Sequence, residues 1–142
     1  MTTSLPDAAR RYIGVPFRHR GRSRRGVDCA GLVVLAFRDL GVTLPDFLKY
    51  GAEPHNDGLV AHVRSALGDS VAAAPVRPVE LQPGDVIVMR FEVQPHHLAI
   101  VGRHPLGHFS IIHADGHYGR VLEQGLSEDM TQRITHVFRR AA

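Results

Sequence analysis

The stretch Gly26-Val27-Asp28-Cys29-Ala30-Gly31-Leu32-Val33-Val34-Leu35-Ala36-Phe37 decides how the chain is organised. From Cys29 the run is apolar on nearly every side, extends to Leu40 and meets Gly41, a residue suited to the left-handed close of a helix. A helix without a polar face must be surrounded by protein, so the run predicts a buried central helix. Asp28 stands where an N-cap carboxylate would accept the first orphaned backbone N–H groups. Cys29 then falls in the first turn, where unpaired N–H groups and the helix dipole favour a thiolate and can donate to an oxyanion.

Helices precede strands on either side of this run. Ser4 is placed to cap a short helix reaching about Ile13, with Pro6 and Asp7 in its first turn. A third helix is expected after Asn56 or Asp57, with Leu59, Val63, Ala66 and Leu67 at helical spacing and Gly68 ending it. The period changes after the turn Gln82-Pro83-Gly84-Asp85, where Val86 to Phe91 alternates as a strand does. Leu98 to Gly102, His108 to Ala114, Gly119 to Gln124 and Ile134 to Arg139 supply further strand candidates. The short links through Pro105-Leu106-Gly107 and Asp115-Gly116 favour antiparallel hairpins. The class expected is α+β, with N-terminal helices packed on a C-terminal antiparallel sheet of about five strands.

The 142 residues are expected to form a single domain, 1–142, of ordinary globular composition, with 44% hydrophobic and 22% charged residues. The longest uncharged apolar stretch, Ala30 to Phe37, is far shorter than the roughly 20 residues of a membrane span. Asp7, Arg10 and Arg11 interrupt the N-terminal region, so neither an anchor nor a secretory signal is expected and synthesis would be cytoplasmic. One cysteine excludes an internal disulfide and any zinc site built on two thiolates. The lone thiol is inert core, an intermolecular link or a nucleophile. Sixteen of the 17 basic side chains are arginine, and Arg18, Arg20, Arg22, Arg24 and Arg25 crowd one glycine-flanked segment with His19. Such a cluster suits solvent, a partner surface or an acidic ligand. No aromatic residues are interleaved to stack bases, so nucleic acid is not expected.

Ten histidines offer bases or ligands, and His97 and His113 differ from the rest in their strand context. In His97-Leu98-Ala99-Ile100-Val101-Gly102 the histidine heads a strand, and in Ile111-Ile112-His113-Ala114-Asp115 it interrupts an apolar one. A hairpin centred on Pro105 would set His97 opposite His113 on one sheet face, while the adjacent His96 would point the other way in a regular strand. Two histidines beside a thiol at a helix N-terminus make a nucleophile, a base and an orienter, with Asp115 as a competitor for the last role. His104-x3-His108 and His113-x3-His117 have spacings found in zinc sites. Such pairs share a face only on a helix, whereas both stretches read as strand or turn, so no metal site is expected.

Taken together these segments resemble the NlpC-like cell-wall peptidases, which have a papain-like fold. Gly14-Val15-Pro16-Phe17 followed by Asp28-Cys29-Ala30-Gly31 is similar to that family's Gly-x-Pro-Tyr and Asp-Cys-Ser-Gly motifs. Pro83-Gly84-Asp85 resembles its Pro-Gly-Asp turn, and His97 to Val101 and Ile112-His113-Ala114 resemble its two histidine strands. The resemblance implies Cys29 as nucleophile, His97 as general base and His113 as the orienting residue, with no cofactor. It implies hydrolysis of a peptide-stem amide of peptidoglycan, such as the γ-D-glutamyl bond to diaminopimelate, through a thioacyl-enzyme. Phe17 stands where the family has tyrosine and Ala30 where it has serine, and Phe17 motivates the alternative of a virion component with vestigial activity. An acyltransferase on the same fold is a further alternative. Phe17 to Arg22 and Gln94 to Leu98 look most like members encoded with bacteriophage tails or gene-transfer particles, which implies tail-tip partners and action at the bacterial wall from a virion.

Overall fold

The structure, a computed structural model, describes residues 4–45, 58–91 and 94–140, and the side chains of residues 94–96 lie outside that description. The elements run α1 (Leu5–Arg10), β1 (Arg22–Ser23), β2 (Gly26–Val27), α2 (Cys29–Asp39), α3 (Leu59–Leu67), β3 (Ala72–Ala73), β4 (Val86–Phe91), β5 (Gln94–Arg103), β6 (Phe109–Asp115), β7 (Arg120–Gly125), α4 (Glu128–Gln132) and β8 (Ile134–Phe138). The α+β class is as expected, with helices ahead of an antiparallel sheet. That sheet has six strands, ordered β3-β8-β4-β5-β6-β7. The additional strand is β3, too short to leave a periodic signature; the two-residue pair β1-β2 and the single-turn α4 escape the sequence pattern for the same reason.

Capping follows the local chemistry. Ser4 accepts the Asp7 N–H at 3.2 Å to start α1, and Ser127 accepts the Met130 N–H at 3.2 Å to start α4. Gly41 follows α2 with φ +83, the left-handed conformation expected of it. Gly58 caps α3, and the caps expected at Asn56 or Asp57 lie outside the described residues. No helix among the described residues is long and apolar enough to cross a membrane.

Alternation along the strands sorts the core into two. Val86, Val88, Leu98, Ile100, Ile112, Ala114 and Val121 are buried with Leu5, Ala9, Tyr12 and the apolar side chains of α2 and α3. Ile87, Met89, Ala99, Val101, Ile111, Ile134 and Val137 pack on the other face with Val76 and Leu81. The strands are therefore apolar on both faces, which is why β4 reads as the nearly unbroken run Val86-Ile87-Val88-Met89. Ion pairs tie the periphery to this core. Arg10 of α1 reaches Glu123 of β7 at 2.9 Å, and Arg139 binds the fully buried Asp85 at 2.7 Å.

The β5-β6 hairpin sets the site, and its register differs from expectation. Ile100 faces Ile112 and Arg103 faces Phe109, so the hairpin is centred on Leu106, one residue beyond Pro105. His104 and His108 close the loop through a 2.8 Å backbone bond, and Gly107 takes φ +102 at its end. The three-residue loop needs a left-handed residue last, and only the glycine accepts that place without strain. Because the facing partner moves by two residues, odd positions still oppose odd ones and the parity of His97 and His113 is preserved.

At Gly31 the constraint is close approach rather than backbone conformation. A Cβ on Gly31, in the first turn of α2, would fall on the Gly21 carbonyl oxygen, a backbone atom that cannot swing aside. Gly31→Ala is expected to cost about 2 kcal/mol of stability through overpacking, lowering Tm by several degrees in a thermal melt.

Candidate active site

The N-terminus of α2 is held by one buried carboxylate. Asp28 Oδ1 accepts the Gly31 N–H at 2.8 Å and the Arg22 guanidinium at 2.9 Å, while Oδ2 accepts the Arg20 N–H at 2.8 Å. Arg20 adopts φ 63, a left-handed conformation costly for a side chain of its kind, and its bond to Asp28 holds it there. The arginine-rich segment is therefore turned inward in part. Arg24 likewise lies over the Tyr12 ring at 4.5 Å and donates to the Arg11 carbonyl at 2.9 Å.

Cys29, the next residue, is buried. Burial pushes the thiol up to about 12, and the neighbouring charge of Asp28 adds to this; the Leu98 and Ala30 backbone dipoles and the Arg22 charge offset only part. The expectation of a thiolate at neutral pH fails on this point. The helix end does supply donors, but desolvation of the sulfur outweighs them.

Beyond Ile100 and Ile112, β5 and β6 no longer pair, while β4 continues to pair with β5 and β7 with β6. His97 and His113 stand on this unpaired stretch, diagonal to one another. His97 Nε2 lies 2.8 Å from His113 Nδ1, with the rings edge to face at 4.9 Å. Asp115 makes no such contact. Its Oδ1 instead accepts the N–H groups of His117 and Tyr118 at 2.7 and 3.2 Å, closing the β6-β7 turn. Between Met89 and Arg90 the β4-β5 register shifts, so the simple alternation of His96 against His97 does not apply, and the His96 side chain lies outside the described residues.

Cys29, His97 and His113 all line one cleft of about 400 Å³, walled also by Phe17, Phe91, His117 and Tyr118. The three residues singled out from the sequence are thus brought together. Burial holds His113 below the ordinary histidine pKa despite a hydrogen bond from its ring to Gln124 and the nearby Asp115 charge, so it is neutral at pH 7. Of the other histidines, His104 and His108 stack on each other at 4.4 Å in the hairpin loop, and no group able to hold a metal occurs among the described residues.

Gln124 is the site residue that sequence reasoning overlooked. Its Oε1 lies 2.8 Å from His113 Nε2, and its amide nitrogen lies 3.6 Å from Met130 Sδ. The only sequence signal was a polar residue at the end of an otherwise ordinary strand. Its meaning depends on the β6-β7 register, in which His113 faces Leu122 and Ile111 faces Gln124.

The NlpC/P60 family model matches residues 14–140. A probable endopeptidase of Mycobacterium tuberculosis is 33% identical over 85 residues, covering 60% of this chain; the chain spans only 17% of that relative's length. An NlpC/P60 family protein from Bacillus cereus shares the fold with a TM-score of 0.64 at 19% identity, over 98% of this chain and 40% of that one. The NlpC/P60 domain of the peptidoglycan hydrolase SagA aligns with a TM-score of 0.61 at 16% identity, over 98% of both chains. Since the family match runs from the Gly14 motif through the cysteine helix and both histidine strands, the chain belongs to the NlpC/P60 family.

Proposed function

We propose that this protein is a cysteine peptidase that hydrolyses a peptide-stem amide of bacterial peptidoglycan through a thioacyl-enzyme. The observation that carries the reading is the convergence of a helix-capped thiol and two hydrogen-bonded histidines in one cleft. Family membership and the relatives named as an endopeptidase and a peptidoglycan hydrolase supply the substrate class.

The roles follow from chemistry. Cys29 sulfur attacks the scissile carbonyl while His97 takes the thiol proton, and the first-turn N–H groups of α2 receive the developing oxyanion. His97 then protonates the leaving amine. Water, deprotonated by His97, attacks the thioester and expels the acyl fragment as a carboxylic acid, returning the proton to sulfur. His113 holds the His97 ring in its working orientation throughout. Because burial keeps Cys29 a thiol at rest, proton transfer accompanies attack and no standing ion pair is required.

The finer reading places the protein at a phage-like tail tip, acting from outside on the wall; it rests on the resemblance of Phe17 to Arg22 and Gln94 to Leu98 to tail-encoded members. Phe17 in the cleft wall, lacking the family's hydroxyl, favours a second reading as a virion component with vestigial activity. Mass spectrometry of purified particles from the source strain decides the location, since absence from intact particles removes the tail-tip reading.

Incubation with purified peptidoglycan should release stem-peptide fragments detectable by mass spectrometry. Cys29→Ala should abolish release, and His97→Ala should slow it by about 10²–10⁴-fold. Undiminished release by Cys29→Ala would exclude the thioacyl route, and no release by the wild type would favour the vestigial reading. A separate expectation concerns the thiol itself. Iodoacetamide should label Cys29 at pH 7 more slowly than an exposed thiol of pKa about 8.5, with the rate still climbing through alkaline pH. A labelling rate that levels off near neutrality would instead reveal a depressed pKa.

A further inference from the structure

We infer that Gln124 is a positioning residue that fixes the direction of the proton-bearing chain behind His97, so that the ring nitrogen carrying the lone pair is Nδ1. The inference deepens the peptidase reading and rests on it for its kinetic consequence, though not for its geometry.

The Gln124 amide has one orientation that satisfies both neighbours: its N–H faces the thioether of Met130, which can only accept, and its carbonyl oxygen faces His113 Nε2. The reversed amide would set an oxygen against the sulfur, two acceptors with no hydrogen between them. A carbonyl oxygen cannot donate, so the hydrogen in the 2.8 Å contact belongs to His113 Nε2. His113 is buried and neutral, hence it has one ring hydrogen, and its Nδ1 must accept. The 2.8 Å contact between that nitrogen and His97 Nε2 then requires the hydrogen on His97. With Nε2–H so fixed, a neutral His97 carries its lone pair on Nδ1. Each bond in the chain sets the next, and the one group with no alternative is the amide held by Met130.

The consequence for the reaction is directional. When the Cys29 proton passes to His97 Nδ1 and the sulfur pair attacks the carbonyl carbon, the imidazolium keeps both protons. Its Nε2–H bond to His113 strengthens as positive charge develops, and the His113 bond to Gln124 strengthens with it. Without the acceptor at residue 124, His113 could place its hydrogen on Nδ1 and donate to His97 Nε2. His97 would then carry its own hydrogen on Nδ1 and could not act as base.

The test combines tautomer assignment with kinetics on the whole chain. Long-range proton–nitrogen NMR spectra, with His97→Ala and His113→Ala for assignment, should show both histidines of the wild type as Nε2–H tautomers. Gln124→Leu should mix the His113 tautomers and lower kcat by roughly 10-fold or more, a wholly wrong tautomer being worth up to about 10⁴-fold, while KM changes less than about twofold. Gln124→Glu keeps an acceptor and should retain the Nε2–H form and most of kcat. Its added negative charge raises the histidine pKa values, so the acid limb of the pH profile should move to higher pH. An Nδ1–H tautomer of His113 in the wild type overturns the inference, as does a Gln124→Leu protein with unchanged tautomers and kcat. If the wild type shows no hydrolase activity, the peptidase reading fails, whereas the tautomer spectra still decide the geometry.

Discussion

The site depends on the Asp28 carboxylate. It is almost wholly buried, and partners reach it from different directions, among them the first turn of α2, the backbone of Arg20 and the side chain of Arg22. Losing one partner of such a pair leaves an uncompensated buried charge, at a cost of about 3–5 kcal/mol, so the arrangement is held as a unit. The same carboxylate fixes the register of the helix start and hence the place of Cys29. It also draws the Arg18–Arg25 segment against the helix, where Gly31 must lie without a side chain to let the Gly21 carbonyl approach; a Cβ on Gly21 would instead meet the Gly26 and Arg18 carbonyls of its own segment. A cap, a loop conformation and the position of the proposed nucleophile are therefore set by one group.

How much of this was legible in the sequence depended on the range of the signal. The Asp28 cap, the buried helix behind it and the β4 strand after Pro83-Gly84 were readable because each is written in consecutive residues. The pairing of His97 with His113 was readable only as parity. Their contact is diagonal rather than directly opposite, because Gly107 has to close the hairpin loop and moves its centre to Leu106. Had the facing partner shifted by one residue, His113 would have turned toward α2 and Ile112 and Ala114 away from it. Gln124 left only a polar residue at a strand end, too little to reveal its role, since that role depends on the β6-β7 register and on a Met130 contributed by a single-turn helix. The thiol's high pKa was missed for a related reason: helix-end donors are local and visible, whereas desolvation is the sum of everything packed around the sulfur.

The unpaired ends of β5 and β6 explain how a helix on one face of the sheet can share a cleft with histidines on the other. His97 and His113 have the parity of Ala99, Val101 and Ile111, which pack away from α2. Cys29 is grouped with the core on the α2 side. A continuous β5-β6 ladder would separate the two. Where the ladder lapses, the two histidines bond each other, and His113 bonds Gln124.

Burial of the thiol then gives the proton chain its importance. Raising Cys29 from the ordinary thiol value to about 12 makes the lone thiolate about 4 kcal/mol more costly than in water. Substrate entering the cleft expels further water and does not lower that cost by itself. In the proposed mechanism, deprotonation therefore coincides with charge moving onto the scissile carbonyl, where the helix N–H groups can receive it. In an enzyme with a preformed thiolate, the base's tautomer matters chiefly after acylation, when the leaving amine needs a proton. With a neutral thiol it matters from the first step, because the acceptor nitrogen must be bare when the sulfur attacks. On that proposal, a buried nucleophile shifts the burden of catalysis onto the groups that hold hydrogen in place behind the base.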